Sequence, residues 1–294
     1  MGGRFGSVIT AMVTPFREDF SFDPDRAREV VRWLLDHGSD ALVVAGTTGE
    51  SATLSDEEKV ELWRASVEAA EGRGAIIAGT GTYDTAHSVH LTEEAERAGV
   101  QGILVVAPYY NKPPQRGLYE HFITVAGATS LPVIMYNIPG RTSVRIAHDT
   151  LLRLAAVENI VAVKDATLDF NDASKLVAEA PDGFEVISGD DMSTFGMVCL
   201  GATGVISVTS HVAGAEMRQM IDLVDSGDIP AARKIHQRLI PLYDALFVTT
   251  SPIPVKAAMG LVGHPVGPPR LPLVPATDEE IGTIKAALGA SGVL

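Results

Sequence analysis

The stretch "IVAVKDAT", Ile160–Thr167, decides how the chain must be read. Ile160, Val161, Ala162 and Val163 have no polar residue between them. That is the pattern of a strand buried on both faces, as in a parallel sheet covered by helices. Lys164 follows directly, then Asp165. Lysine is rarely buried unless it is paired or put to use. In this window alone, Lys164 reads as a strand end whose amine reaches solvent along its own apolar stem.

The surrounding chain changes that reading. Short β-rich apolar runs recur: "SVITAMV" (7–13), "ALVVA" (41–45), "GAIIAG" (74–79), "GILVVA" (102–107), "PVIMY" (132–136), "IVAVK" (160–164), "FEVIS" (184–188) and "TGVIS" (203–207). Segments of helical periodicity lie between them. "PDRAREVVRWLLDHG" ends on a glycine. "LSDEEKVELWRASVEAAEG" opens with Ser55 as N-cap, carries Glu58 as its capping-box partner and stops at Gly72. "DTAHSVHLTEEAERAG" and "NDASKLVAEAP" follow the same scheme. Alternating strands and helices imply parallel pairing through right-handed crossovers, and eight such units predict an α/β fold, a (β/α)8 TIM barrel. A doubly wound open sheet is the competing architecture, but "VTPFRED" after the first strand is not the Gly-rich loop that fold usually carries. The barrel is expected over residues 1–225. A C-terminal helical extension of three helices is expected over 226–294, with the proline-rich "GHPVGPPRLPLVP" as an extended connector.

The chain has 294 residues and a formal net charge of −14. The length suits one α/β barrel. The charge argues against nucleic acid and against anionic membrane as partners. Cys199 is the single cysteine, so no intrachain disulfide can form, consistent with a reducing compartment. The N-terminus makes a poor signal peptide, and no apolar run is long enough for a transmembrane helix. A cytoplasmic protein is the expectation.

In a (β/α)8 barrel the active site lies at the C-terminal ends of the strands. There the chain places "GTTGES", "GTGTYD", "PYYNKPP", Tyr136 with "NIPGRT", Lys164, "SGDD" and "ISVTS". Lys164 then stands at the barrel mouth. Apolar surroundings disfavour its ammonium and lower its pKa, and a neutral amine can attack a carbonyl to form a Schiff base. Such chemistry needs a proton shuttle, for which Tyr136 on the adjacent strand is the candidate, with Thr47 and Tyr110 as possible hydroxyl partners. Arg141 suits a carboxylate. Several motifs read as ordinary structure. "GTTGES" lacks the ending of a phosphate loop. His87 and His90 read as a solvated helix face, with no metal site and no cofactor expected. Asp190 and Asp191 read as helix caps, and Cys199 as a core residue.

Taken together, "ITAMVTPF", "GTTGESATLS", "APYYNKP", "YNIPGRTSV", "VAVKDAT", "SPIPVKAAMGLVG" and "RLPLVP" resemble the dihydrodipicolinate synthase / N-acetylneuraminate lyase family over almost the whole chain. The resemblance implies a barrel with a C-terminal helical extension, assembled as a homotetramer, a dimer of dimers. It implies that Lys164 forms a Schiff base with pyruvate and that Tyr136 relays protons, supported by Thr47. Tyr110 matches a tyrosine that a neighbouring subunit inserts. Thr48 matches a residue that holds the pyruvate carboxylate, and Gly189 and Ile206 match positions lining the pocket through backbone carbonyls.

"GTTGE", "YNIPGRT" and "KDAT" look like the dihydrodipicolinate synthase branch, where Arg141 matches the arginine that binds aspartate semialdehyde. That branch condenses pyruvate with L-aspartate-4-semialdehyde in lysine and diaminopimelate biosynthesis. Other branches act on sialic acid, 2-keto-3-deoxy sugar acids or 4-hydroxy-2-oxoglutarate; a non-catalytic binding barrel would be expected to have lost the lysine or tyrosine. The chain departs from lysine-inhibited members at Asp56, Lys59, Tyr83 and His87, which predicts weak or absent lysine feedback. Asp165 is expected to turn away from the Lys164 amine, because a carboxylate in contact would raise the pKa of that amine.

Overall fold

The computed structural model describes residues 2–294. Eight parallel strands close a barrel in chain order. They are β1 (Val8–Ala11), β2 (Ala41–Val44), β3 (Ala75–Gly79), β4 (Gly102–Val106), β5 (Val133–Asn137), β6 (Ile160–Asp165), β7 (Glu185–Ser188) and β8 (Val205–Ser207). Every apolar run singled out above therefore supplies one strand. β1 pairs with both β2 and β8, which closes the ring and leaves no free edge.

The continuous apolar character of the strands reflects two cores. Ile9, Val43, Ile77, Leu104, Ile134 and Ile206 fill the barrel interior. The alternate residues, such as Val8, Leu42, Ile76 and Val163, pack outward under the helices. Period-two alternation sends neighbours to opposite faces, and here both faces are buried.

The helices are α1 (Pro24–Asp36), α2 (Asp56–Ala70), α3 (Thr85–Arg97), α4 (Gln115–Ala126), α5 (Pro139–Thr142), α6 (His148–Ala155), α7 (Phe170–Glu179), α8 (Thr194–Cys199) and α9 (Ser210–Asp225). Ser55 and Glu58 form the expected capping box, an arrangement in which the N-cap is typically worth about 1 kcal/mol. Gly72 has φ +73 just beyond α2. Cys199 corrects its sequence reading: it ends α8 and is exposed, because Thr194, Met197 and Val198 occupy the buried side of that short helix.

His211 fastens the closure of the barrel. Its Nε2 accepts a hydrogen bond from the Val13 N–H at 3.1 Å, so the proton sits on Nδ1, which donates to the Val208 carbonyl at 2.8 Å. Burial pushes its pKa from 6.5 down to about 4 and keeps the ring neutral.

Three further helices, α10 (Ile229–Ala245), α11 (Ile253–Leu261) and α12 (Asp278–Ala290), follow the barrel. α10 packs against α8 and α9, and α11 against α9. The proline-rich stretch between α11 and α12 is more than a connector. It crosses back over the barrel rim, where the Phe16 N–H donates to Val266 O at 3.0 Å. Gly267 has φ +71, and a Cβ there would lie 1.8 Å from the Phe16 carbonyl oxygen. Only glycine permits that approach. No helix among the described residues is long and apolar enough to cross a membrane.

Candidate active site

Lys164 is the fifth residue of β6 and pairs in register with Tyr136 of β5 and Ile187 of β7. All three project into the barrel. The Lys164 Nζ lies over the Tyr136 ring, 4.1 Å from its centroid. The lysine is only 6% exposed, so the snorkelling reading fails. Burial pushes its amine from 10.5 to about 7; Asp191 and Asp190 push it back upward, and Arg141 reinforces the drop. Near neutral pH, about half of the amine is then uncharged and nucleophilic. The apolar wall beside it comes from Tyr136 and Ile187, whereas Val163 faces the helices. Strand alternation dictates this, since residues adjacent in sequence point to opposite faces.

The same alternation disposes of Asp165. It leaves the barrel interior and accepts a hydrogen bond from the Thr167 N–H at 2.8 Å. Burial raises its pKa, while Thr167 and Arg145 act to lower it. It is not among the charges acting on Lys164.

Tyr136 is likewise buried, and burial raises the pKa of its phenol, with Arg141 opposing and Asp190 reinforcing. The phenol therefore stays protonated at neutral pH. It can pass a proton by donating one as it accepts another, rather than by resting as a phenolate.

A cavity of about 260 Å³ opens at the C-terminal rim, with neither Lys164 nor Tyr136 among its lining residues. Thr47, Tyr109, Ile138, Arg141 and Ser251 are among the residues lining it. Thr47 and Thr48 belong to the turn after β2. The Glu50 N–H donates to Thr47 O at 3.1 Å, and the Thr14 hydroxyl donates to Gly49 O at 2.6 Å. Thr48 is buried. Arg141 lies on α5, a single turn after β5, and its guanidinium reaches Ser251 O at 3.4 Å. Its charge acts on both Lys164 and Tyr136, which ties the cavity to the strand ends. Gly189 packs flush on the end of β6: its N–H donates to Asp165 O at 2.7 Å, and a Cβ would meet Ala166 Cβ at 2.9 Å. Ile206 is buried in the barrel interior, in register with Ile9.

Tyr110 is not brought to the cavity of its own chain. It is 90% exposed with φ +71, and the neighbouring Tyr109 lines the cavity instead. A relay of Thr47, Tyr110 and Tyr136 within one chain is therefore not formed. His87 departs in part from the solvated-face reading, being half-buried against Asp56, whereas His90 is exposed. Asp56 receives Lys59 Nζ at 3.3 Å on one oxygen and lies 2.9 Å from His87 Nε2 through the other. These contacts hold the Asp56 carboxyl below its ordinary range against the opposing effect of desolvation.

Asp191 was missed by sequence reasoning. Asp190 is not the cap of α8, whose N-cap is Ser193; it closes the preceding turn by accepting from the Ser193 N–H at 2.8 Å. Asp191 instead is fully buried. One of its oxygens accepts from the Val208 N–H at 3.1 Å, the Thr209 N–H at 2.8 Å and the Thr209 hydroxyl at 2.8 Å. Burial raises its pKa. It is the foremost of the charges acting on Lys164. Two adjacent aspartates carry no local signal that separates these roles.

Fold and site define a (β/α)8-barrel enzyme with its working groups at the C-terminal rim of the strands. The chain belongs to the dihydrodipicolinate synthetase family, whose model matches residues 4–291. It is 52% identical over 282 residues to the 4-hydroxy-tetrahydrodipicolinate synthase of Desulforamulus reducens, covering 96% of this chain and 95% of the relative. Among solved structures, it resembles a dihydrodipicolinate synthase of Bacillus anthracis (TM-score 0.96, 46% identity, 98% of each chain). It also resembles the dihydrodipicolinate synthase of Cyanidioschyzon merolae solved with lysine bound (TM-score 0.97, 42% identity, 99% and 100% covered). A monomeric dihydrodipicolinate synthase variant is similar too (TM-score 0.95, 41% identity, 98% and 97% covered).

Proposed function

We propose that the chain condenses pyruvate with L-aspartate-4-semialdehyde to give 4-hydroxy-tetrahydrodipicolinate, the reaction for which its relatives are named. The observation that carries this reading is the buried Lys164 amine, held near neutrality beside Tyr136 at the strand ends. The neutral amine adds to the pyruvate carbonyl and expels water to form an imine. Loss of a methyl proton converts the imine to an enamine, whose carbon attacks the aldehyde. The substrate amine then closes the ring on the imine carbon and releases Lys164.

Tyr136 relays protons in these steps, supported by Thr47. The Tyr110 side chain, exposed on one chain, completes the relay of a neighbouring copy in a homotetramer built as a dimer of dimers. Thr48 holds the pyruvate carboxylate, the carbonyls of Gly189 and Ile206 line its pocket, and Arg141 holds the carboxylate of the semialdehyde. No cofactor or metal takes part. The barrel over 1–225 supplies the chemistry, with residues 226–294 as its extension, and the enzyme works in the cytoplasm in lysine and diaminopimelate biosynthesis. Lysine feedback is weak or absent, because a cationic effector approaching Asp56 meets the Lys59 ammonium already paired with it at 3.3 Å.

Borohydride reduction in the presence of pyruvate, followed by peptide mapping, tests the core of this reading. The expected adduct is on Lys164; an adduct elsewhere, or none, refutes it. A coupled assay with aspartate semialdehyde tests the second substrate. Arg141→Ala should abolish most of that activity while leaving pyruvate trapping intact.

A further inference from the structure

A second buried lysine lies apart from the amine just described. Lys256, in α11, forms an ion pair with Glu50 at 2.6 Å, and both side chains are almost wholly buried. The Lys256 ammonium also donates to Pro268 O at 3.1 Å. The other Glu50 oxygen accepts from the backbone N–H of Arg270 at 2.8 Å. Both cations rest on one ring: Lys256 Nζ and Arg270 Cζ lie 4.4 Å and 4.2 Å from the Phe16 centroid. The Arg270 guanidinium continues to Glu58, with contacts of 2.7 and 2.6 Å, and to Thr53 O at 2.9 Å.

Glu50 is the last residue of the turn that carries Thr47 and Thr48. Its backbone is left-handed, with φ +55. That conformation is unfavourable for a residue with a Cβ and persists only where the surroundings over-determine it. Here its amide closes the turn on Thr47 O, and its carboxylate is held from two directions by the C-terminal segment. Desolvating two charges is costly, and well-packed apolar residues often match a buried pair in stability. Stability alone is therefore a weak reason for the pair. A pair that fixes the position of a turn at a site intolerant of small displacements is a stronger one.

We propose that Lys256 is a positioning residue that acts through Glu50, together with the backbone N–H of Arg270, to hold the Thr47–Thr48 turn in register with the Lys164 pocket. On this view, residues 226–294 complete the site from outside the barrel. The inference rests on the reading of Thr47 and Thr48 as pyruvate-site residues.

Steady-state kinetics on Glu50→Gln/Lys256→Met tests it, with rates normalised to the Lys164 sites titrated by pyruvate and borohydride. The double variant is preferred to Lys256→Met alone, which strands a buried carboxylate and can fail to fold. The expected result is a pyruvate kcat/KM lowered at least tenfold, mainly through KM, with an unfolding midpoint near that of the wild type. The pH at which the Lys164 amine titrates should stay unchanged. A folded double variant with pyruvate kcat/KM within twofold of wild type overturns the proposal. Thr48→Ala is the companion measurement. If it leaves the pyruvate KM unchanged, the assignment of the turn to the pyruvate site falls, and the brace falls with it. If Thr48→Ala raises KM and the double variant does not, the brace alone is wrong.

Discussion

Lys164→Met should make the protein inactive and more stable. In the fold the amine has a pKa of about 7, against 10.5 when it is solvated. The unfolded chain therefore holds a proton that the folded chain partly gives up between those values. Wild-type stability rises with pH through this window, because the unfolded state binds more protons. Below pH 7 the full difference applies, ~5 kcal/mol at 1.36 kcal/mol per pH unit. At pH 7, where the folded amine is half protonated, the disadvantage is ~4 kcal/mol, and at pH 9 it is ~2 kcal/mol. Methionine has a similar shape and no charge to desolvate. Urea unfolding of wild type and variant at pH 7, 8 and 9 measures the effect. The variant should gain most at pH 7, and its advantage should shrink as pH rises toward 10.5. A variant that is less stable at pH 7, or whose gain does not change with pH, would refute the argument that burial prepares the nucleophile.

Asp191→Asn should shift the acid limb of pyruvate-dependent borohydride inactivation to lower pH, because Asp191 raises the pKa of the Lys164 amine; a shift to higher pH would contradict this assignment. His211→Gln should be destabilising at pH 7, but its deficit should narrow by ~2 kcal/mol at pH 5, since only wild type must protonate a ring that the fold holds neutral. Unfolding measured at both pH values decides this, and a deficit constant with pH counts against it. L-Lysine should leave turnover largely unaffected, and half-maximal inhibition at submillimolar lysine would show that the Asp56, Lys59 and His87 cluster opens to admit it.

The strands were legible in the chain because a barrel strand is buried on both faces, so most appear as unbroken apolar runs with turn residues at their ends, β1 being interrupted by the buried Thr10. The α2 capping box was legible because its partners, Ser55 and Glu58, are three residues apart and need no tertiary context. Cys199 was misplaced for a related reason: six residues of helix are too few to define which side is buried. Lys256 left a signal in "IPVKAAMGLVG", a lone charge in an apolar helix, and the reasoning applied to Lys164 would have flagged it. Its partner was beyond reach, because nothing local links α11 to a turn after β2.

The order of strands and helices, the placement of Lys164 at a strand end and its pairing with Tyr136 followed from sequence alone, since they depend on periodicity and on the rule that barrel active sites lie at the C-terminal ends of the strands. The outward turn of Asp165 followed as well, because adjacent residues on a strand cannot share a face. Closure of the barrel and the return of the C-terminal segment decided the rest. They separated Asp191 from Asp190, left Tyr110 outside the cavity of its own chain, and drove Glu50 against Lys256. Burial of these charged groups depends on segments far apart in the chain, and the electrostatics of the site exist only once those segments have met.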